Sequence, residues 1–150
     1  MQAQMLAPAA VLVLWSLVML FWTAGTRFPA IAKSGMDLKQ AKPGGRGQDL
    51  EGVLPAKVNW KSHNYSHLME QPTIFYPTVV ILALTGAGAI DLALAWTYVA
   101  IRIVHSLYQA TVNVVMVRFA LFVLATIALV ALAVRAVLAT LFADPSMVLS

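Results

Sequence analysis

The chain has 150 residues, 61% of them apolar and none of them cysteine, and its mean hydropathy is +0.81. That composition excludes an ordinary soluble domain. The missing thiol excludes disulfides, a thiolate metal site and a nucleophilic sulfur on the protein itself, so any sulfur chemistry has to come from a ligand. The formal charge of +4 is a local matter. Arg27, Lys33, Lys39, Lys42, Arg46, Lys57 and Lys61 fall in one polar segment, where Asp37, Asp49 and Glu51 offset three of them, as the positive-inside rule expects of a cytoplasmic loop. The same segment lacks the aromatic interleaving of a single-strand binder, and no nucleic-acid partner is expected.

A bilayer core of about 30 Å takes about 20 apolar residues of helix per crossing. Residues 6–24 form a first such run, with Pro8 near its start and Trp15 and Trp22 as interface anchors. A secretory signal peptide is the rival reading, but it needs a basic n-region and the first charge is Arg27, so the run is expected to be retained. Residues 27–61, with Pro43, Gly44, Gly45 and Gly47 at their centre, read as a long cytoplasmic loop. A second span is expected over 67–88, kinked by Pro72 and Pro77.

Between Asp91 and Ala143 there is neither Gly nor Pro, and as one helix this stretch would run about 80 Å. No bilayer is that thick. The polar residues Gln109, Thr111 and Asn113 place a turn between Tyr108 and Arg118, which gives spans over 91–111 and 117–142. Two or three residues around Gly88 join spans two and three, so these form an antiparallel hairpin. The expected fold is all-α: one integral membrane domain over residues 1–150, an antiparallel up-down four-helix bundle. With the long loop inside, both termini face the periplasm or lumen, and the short connections and absence of a retention signal point to a bacterial inner membrane.

Ionisable groups at bilayer depth are costly, and each is a functional hypothesis with a partner to be named. His63, His67 and Glu70 share one helical face by spacing, as do Tyr98, Arg102, His105 and Gln109 on the next helix, so two polar stripes line one cleft. Measured from the turn near Gly88, Arg102 lies about 16 Å and Glu70 about 27 Å up their helices, a gap that a guanidinium stem can largely cross. Glu70 and Arg102 are therefore expected to neutralise each other within or between subunits, whether as part of a site or only as a staple fixing register. A zinc site on His63, His67, Glu70 and His105 is the competing reading, but no zinc motif is completed and no metal is assigned. Arg135, about 26 Å along its helix from Arg118, is expected to snorkel to the opposite interface.

The segment His63-Asn64-Tyr65-Ser66-His67-Leu68-Met69-Glu70-Gln71-Pro72 resembles the Asn-x-x-Glu segment of the MAPEG family, the membrane-associated proteins of eicosanoid and glutathione metabolism, with His67 where Asn is usual. Arg102-Ile103-Val104-His105 resembles the family's Arg-x-x-His segment, and Arg118 follows at the distance of its thiol-activating arginine. The resemblance covers about residues 60–135 and implies a homotrimer of four-helix subunits. It implies glutathione as co-substrate between neighbouring subunits near the cytoplasmic surface, and a lipophilic second substrate entering from the lipid. The implied chemistry is that of a membrane glutathione transferase or peroxidase: thiol addition to an electrophile, or peroxide reduction. Arg118 would be the catalytic residue, and His63, His67, Glu70, Arg102, His105 and Tyr108 would surround glutathione. Ser66 and His63 stand where family enzymes carry basic residues for the glutathione carboxylates, and Gln109 stands in a tyrosine register. Those departures keep a second expectation open, a non-catalytic structural or accessory subunit of a larger membrane complex.

Overall fold

The computed structural model describes residues 2–37 and 43–143; Lys39 and Lys42 of the basic segment lie outside the described residues. Helix α1 (Gln2–Lys33) is followed by a short 3-10 turn over Gly47–Leu50 and by α2 (Ala56–Leu68), α3 (Pro72–Thr85), α4 (Ala89–Thr111) and α5 (Val115–Leu141). Four helical stretches are long and apolar enough to cross a membrane: Gln2–Lys33, Ala56–Thr85 (α2 with α3), Ala89–Thr111 and Val115–Leu141.

Helix limits depart from the expected spans where hydropathy stops being informative. At 32 residues α1 is about 48 Å long, and it continues through Arg27 and Pro29 to Lys33. Likewise α2 starts at Ala56, well before residue 67. A helix satisfies its own backbone in water as well as in lipid, so it need not end where the apolar residues do. The polar segment is thus helical at both ends. Arg27 pins the two ends together by donating to Ser62 Oγ at 3.0 Å and to the carbonyl of Gly47, while Thr23 Oγ1 donates to the carbonyl of Lys61 at 3.1 Å.

Both hairpin turns are set by backbone chemistry. Gly86 closes α3 with φ 95°, and Ala87 N–H bonds to the carbonyl of Leu82 at 2.9 Å, a left-handed cap that glycine makes without a Cβ clash. Three residues after Gly88, Asp91 accepts its N–H at 2.8 Å and so caps the start of α4. The turn after α4 is carried by Asn113, φ 63°, whose N–H returns to the carbonyl of Tyr108 at 2.9 Å; asparagine tolerates that conformation better than most residues.

Each helix buries only a narrow stripe. Met5, Leu12 and Met19 of α1, Phe75, Val79 and Leu82 of α3, and Ala125, Ala128, Leu132 and Ala136 of α5 converge on α4 and one another. The alanines of α5 let its backbone approach its neighbours closely, and α4 with α5 is the most extensive pairing. Outward faces remain apolar: Leu14, Phe21, Leu84, Ile90, Met116 and Leu141 are all exposed. Only a solvent as apolar as lipid tails makes such faces unremarkable, since soluble monomers rarely expose contiguous apolar surface on this scale.

Arg135 is not a lone snorkelling cation. Its Nε pairs with Asp91 Oδ1 and its Nη2 with Asp91 Oδ2 at 3.2 Å. The Asp91 carboxylate is buried while the guanidinium is partly exposed, so this ion pair locks the base of α4 to the end of α5.

Candidate functional site

The site begins with a proline. Pro72 cannot donate to the carbonyl of Leu68, and its ring crowds the preceding turn, so the second span opens over residues 69–71 and splits into α2 and α3. At the break the carbonyl of His67 retains a long bond from Glu70 N–H, 3.4 Å, and accepts a better one from Arg102 Nη2, 3.0 Å. Freed carbonyls within a membrane helix have to be re-satisfied by neighbours, and here a guanidinium does it.

Arg102 sits on the buried stripe of α4, with Asp91, Ala95, Tyr98, His105 and Gln109 at alternating spacings of four and three. Tyr98 stacks on Phe75, ring centroids 4.4 Å apart, and its hydroxyl donates to Gln71 Oε1 at 3.4 Å; Gln71 Nε2 continues to Thr126 Oγ1 at 2.8 Å. On the next turn up, Ser106 Oγ accepts from both Trp15 Nε1, 3.0 Å, and Asn64 Nδ2, 2.8 Å. Polar groups thus tie α4 directly to α1 and α2 and, through Gln71 in the break, to α5.

Above Arg102 lies a cleft of about 250 Å³ between α2, α4 and α5. His67, His105, Gln109 and Arg118 supply its polar lining, Val115, Phe119 and Phe122 its apolar wall. The two imidazoles face each other with centroids 5.0 Å apart, and Phe122 lies 5.7 Å from His67. Three polar atoms of the lining residues, His67 Nδ1, Gln109 Oε1 and Arg118 Nε, are buried with no hydrogen-bond partner. Orphaned buried polar atoms cost about 1–3 kcal/mol each, and others among the described residues lie outside the cleft, on Arg27, Asn64, Arg102 and Asn113.

A second, polar groove of about 220 Å³ adjoins this cleft, lined among others by Arg27, Glu51, Ser62, His63, Ser66 and Glu70. His67 and Glu70 connect the two: Nε2 of the imidazole lies 3.8 Å from the Glu70 carboxylate.

The expected site residues therefore divide. Arg118, His67 and His105 come together in the cleft, where Gln109 joins them; His63 and Glu70 line the groove; Tyr108 lines neither. Two expectations are corrected within the chain. Glu70 does not pair with Arg102, which is fully buried and bonds the His67 carbonyl while its Nε and Nη1 have no partner. Glu70 falls in the break rather than on a continuing helix, and its side chain is 67% exposed. His63 stands four residues before His67 on the same helix, but it faces the groove and not the cleft, and its Nε2 bonds Glu51 Oε1 at 2.7 Å. Among the described residues no group of three or more His, Asp or Glu is close enough to hold a metal ion.

Sequence reasoning passed over Phe119 and Phe122 because apolar residues on a span carry no local mark, and Arg27 because it reads as a loop charge. Its distance of 35 residues from Ser62 hid that contact from any spacing rule.

The family model described as MAPEG family matches residues 5–138 of the chain. No curated protein and no solved structure matches it.

Proposed function

The chain belongs to the MAPEG family and is an integral membrane protein built on four apolar helices; on that premise we propose that it is a glutathione-dependent transferase or peroxidase acting on lipophilic electrophiles, assembled as a homotrimer. The observation that carries this reading is the placement of Arg118 across an open cleft from His67 and His105, with its Nε buried and unpartnered. Glutathione, when bound, supplies the nucleophilic sulfur that a chain without cysteine lacks. A guanidinium within about 4–6 Å lowers the pKa of an acidic group by about 1–3 units, enough to turn a thiol that is a few per cent ionised at neutral pH into one that is mostly thiolate.

The cleft fits the thiol end of such a ligand and not the whole. Complete small-molecule sites enclose about 300–1,000 Å³, more than this cleft offers in a single subunit. The remainder of glutathione would lie along the adjoining groove or against a neighbouring subunit. On the other side the wall is apolar, and Val115 and Phe119 are exposed on the outward face of α5, which suits a second substrate arriving from lipid.

Thiolate formation gives a direct test through its ultraviolet difference absorbance when glutathione is added to the purified protein at neutral pH. We expect a signal, and expect Arg118→Ala to move its pH midpoint up by about 1–3 units, so that the signal is lost near pH 7 and returns in alkali. Persistence of the neutral-pH signal in Arg118→Ala would remove the arginine from this role.

A second reading has its own observation. His63 is held by Glu51, and Ser66 stands where a cation would grip a carboxylate; neutral or engaged groups replace a guanidinium poorly. Absence of any thiolate signal in wild type would favour a non-catalytic structural or accessory subunit.

A further inference from the structure

His67 lines the cleft and Glu70 lines the polar groove, and the two side chains face each other where the cavities come closest. The His67 imidazole shares the cleft with Arg118, its Nε2 faces the Glu70 carboxylate at 3.8 Å, and Glu70 opens into the polar groove with most of its surface exposed. His105, the other imidazole of the cleft, is 3% exposed and lies tilted against His67 with ring centroids 5.0 Å apart.

We infer that His67 and Glu70 form the exit by which the thiol proton leaves the cleft, an inference that rests on the thiol-activating reading of the site. The balance is simple. The S–H bond breaks heterolytically and the electron pair stays on sulfur beside Arg118. The proton passes to a ring nitrogen of His67, the opposite ring nitrogen releases a proton to Glu70, and water takes it from the carboxylate. The sum is one thiol converted to one thiolate and one solvated proton, with no oxidant or reductant. The gap of 3.8 Å is closed by a small rotamer adjustment or one bridging water.

The charges around His67 suit a relay rather than a store. Arg102 and His105 approach from α4, Arg118 from α5, and Glu70 from the break. The carboxylate of Glu70, open to the groove, gives a proton on His67 its outward route. Arg118 sets how much thiolate forms; His67 and Glu70 set how fast.

Rapid mixing of the full-length protein with glutathione, followed by the thiolate absorbance, separates these roles. We expect His67→Asn and Glu70→Gln, each mixed with glutathione at a concentration that saturates that variant, to form thiolate at least about tenfold more slowly than wild type, general acid–base groups contributing about 10²–10⁴-fold. Imidazole added to the buffer should quicken His67→Asn, which a purely structural defect would not allow. The exit is refuted if Glu70→Gln, a change at a side chain 67% exposed, forms thiolate at the wild-type rate. It is refuted equally if His67→Asn is slow and imidazole leaves it so. A wild type with no amplitude at all overturns the thiol-activating reading and the exit with it. That outcome is distinct from a normal amplitude with unaltered rates, which overturns the exit alone.

Discussion

At the scale of single residues, the paired charges at the base of the bundle differ in what their removal leaves behind. Replacing Arg135 by Met strands a buried carboxylate; replacing Asp91 by Asn leaves a partly exposed guanidinium that can still donate to the amide. Losing one partner of a fully buried pair costs about 3–5 kcal/mol. Asp91 would keep the N–H of Gly88, and the Arg135 side chain is 41% exposed, so both losses should fall below that range, with Arg135→Met lowering the unfolding midpoint more than Asp91→Asn. Thermal unfolding in detergent, followed by circular dichroism, checks the order; an equal loss for both would mean the pair is solvated. Arg102 was recognisable in the sequence as a buried cation. Its partner was not, because that partner is a backbone carbonyl, which leaves no mark in the side-chain code, and it is freed where the helix opens over residues 69–71.

At the scale of elements, both hairpins depend on one left-handed residue. Asn113→Gly should leave stability within about 0.5 kcal/mol of wild type, whereas Asn113→Val, β-branched at φ 63°, should cost about 1–3 kcal/mol, read as a change in the unfolding midpoint. The existence of this turn could be deduced from the sequence because an unbroken stretch from Asp91 to Ala143 exceeds any bilayer. Its location could be bracketed from Gln109, Thr111 and Asn113. Helix ends could not be deduced in the same way: hydropathy marks where lipid begins, and the extensions of α1 to Lys33 and of α2 back to Ala56 lie beyond that mark. The consequence of Pro72 was half visible. A kink was expected, but the opening at residues 69–71 carries Glu70 out of register and so separates it from Arg102. Likewise the spacing of His63 and His67 put them on one face, and only the fold shows Glu51 claiming His63.

At the scale of the whole molecule, the absence of cysteine makes orientation easy to read. Single cysteines at the exposed positions Lys57 and Ala89 lie at opposite ends of the bundle. With the basic segment in the cytoplasm, a membrane-impermeant maleimide should label Ala89→Cys in intact cells and reach Lys57→Cys only after lysis. The reverse pattern would invert the proposed topology. The outward faces of α1 and α5 are apolar over much of their length, which suits contact with lipid.

The hydroxyl of Ser106 takes donors from α1 and α2 while standing on α4, and both its lone pairs are thereby used. Such an atom constrains the order in which sequence can drift. Ser106→Ala alone orphans two N–H groups and should cost about 1–3 kcal/mol. The same change made after Trp15→Phe and Asn64→Leu should cost far less, because no donor is then stranded. Unfolding midpoints of the variants in both orders would measure this epistasis, and additive losses would show that the three positions evolve independently.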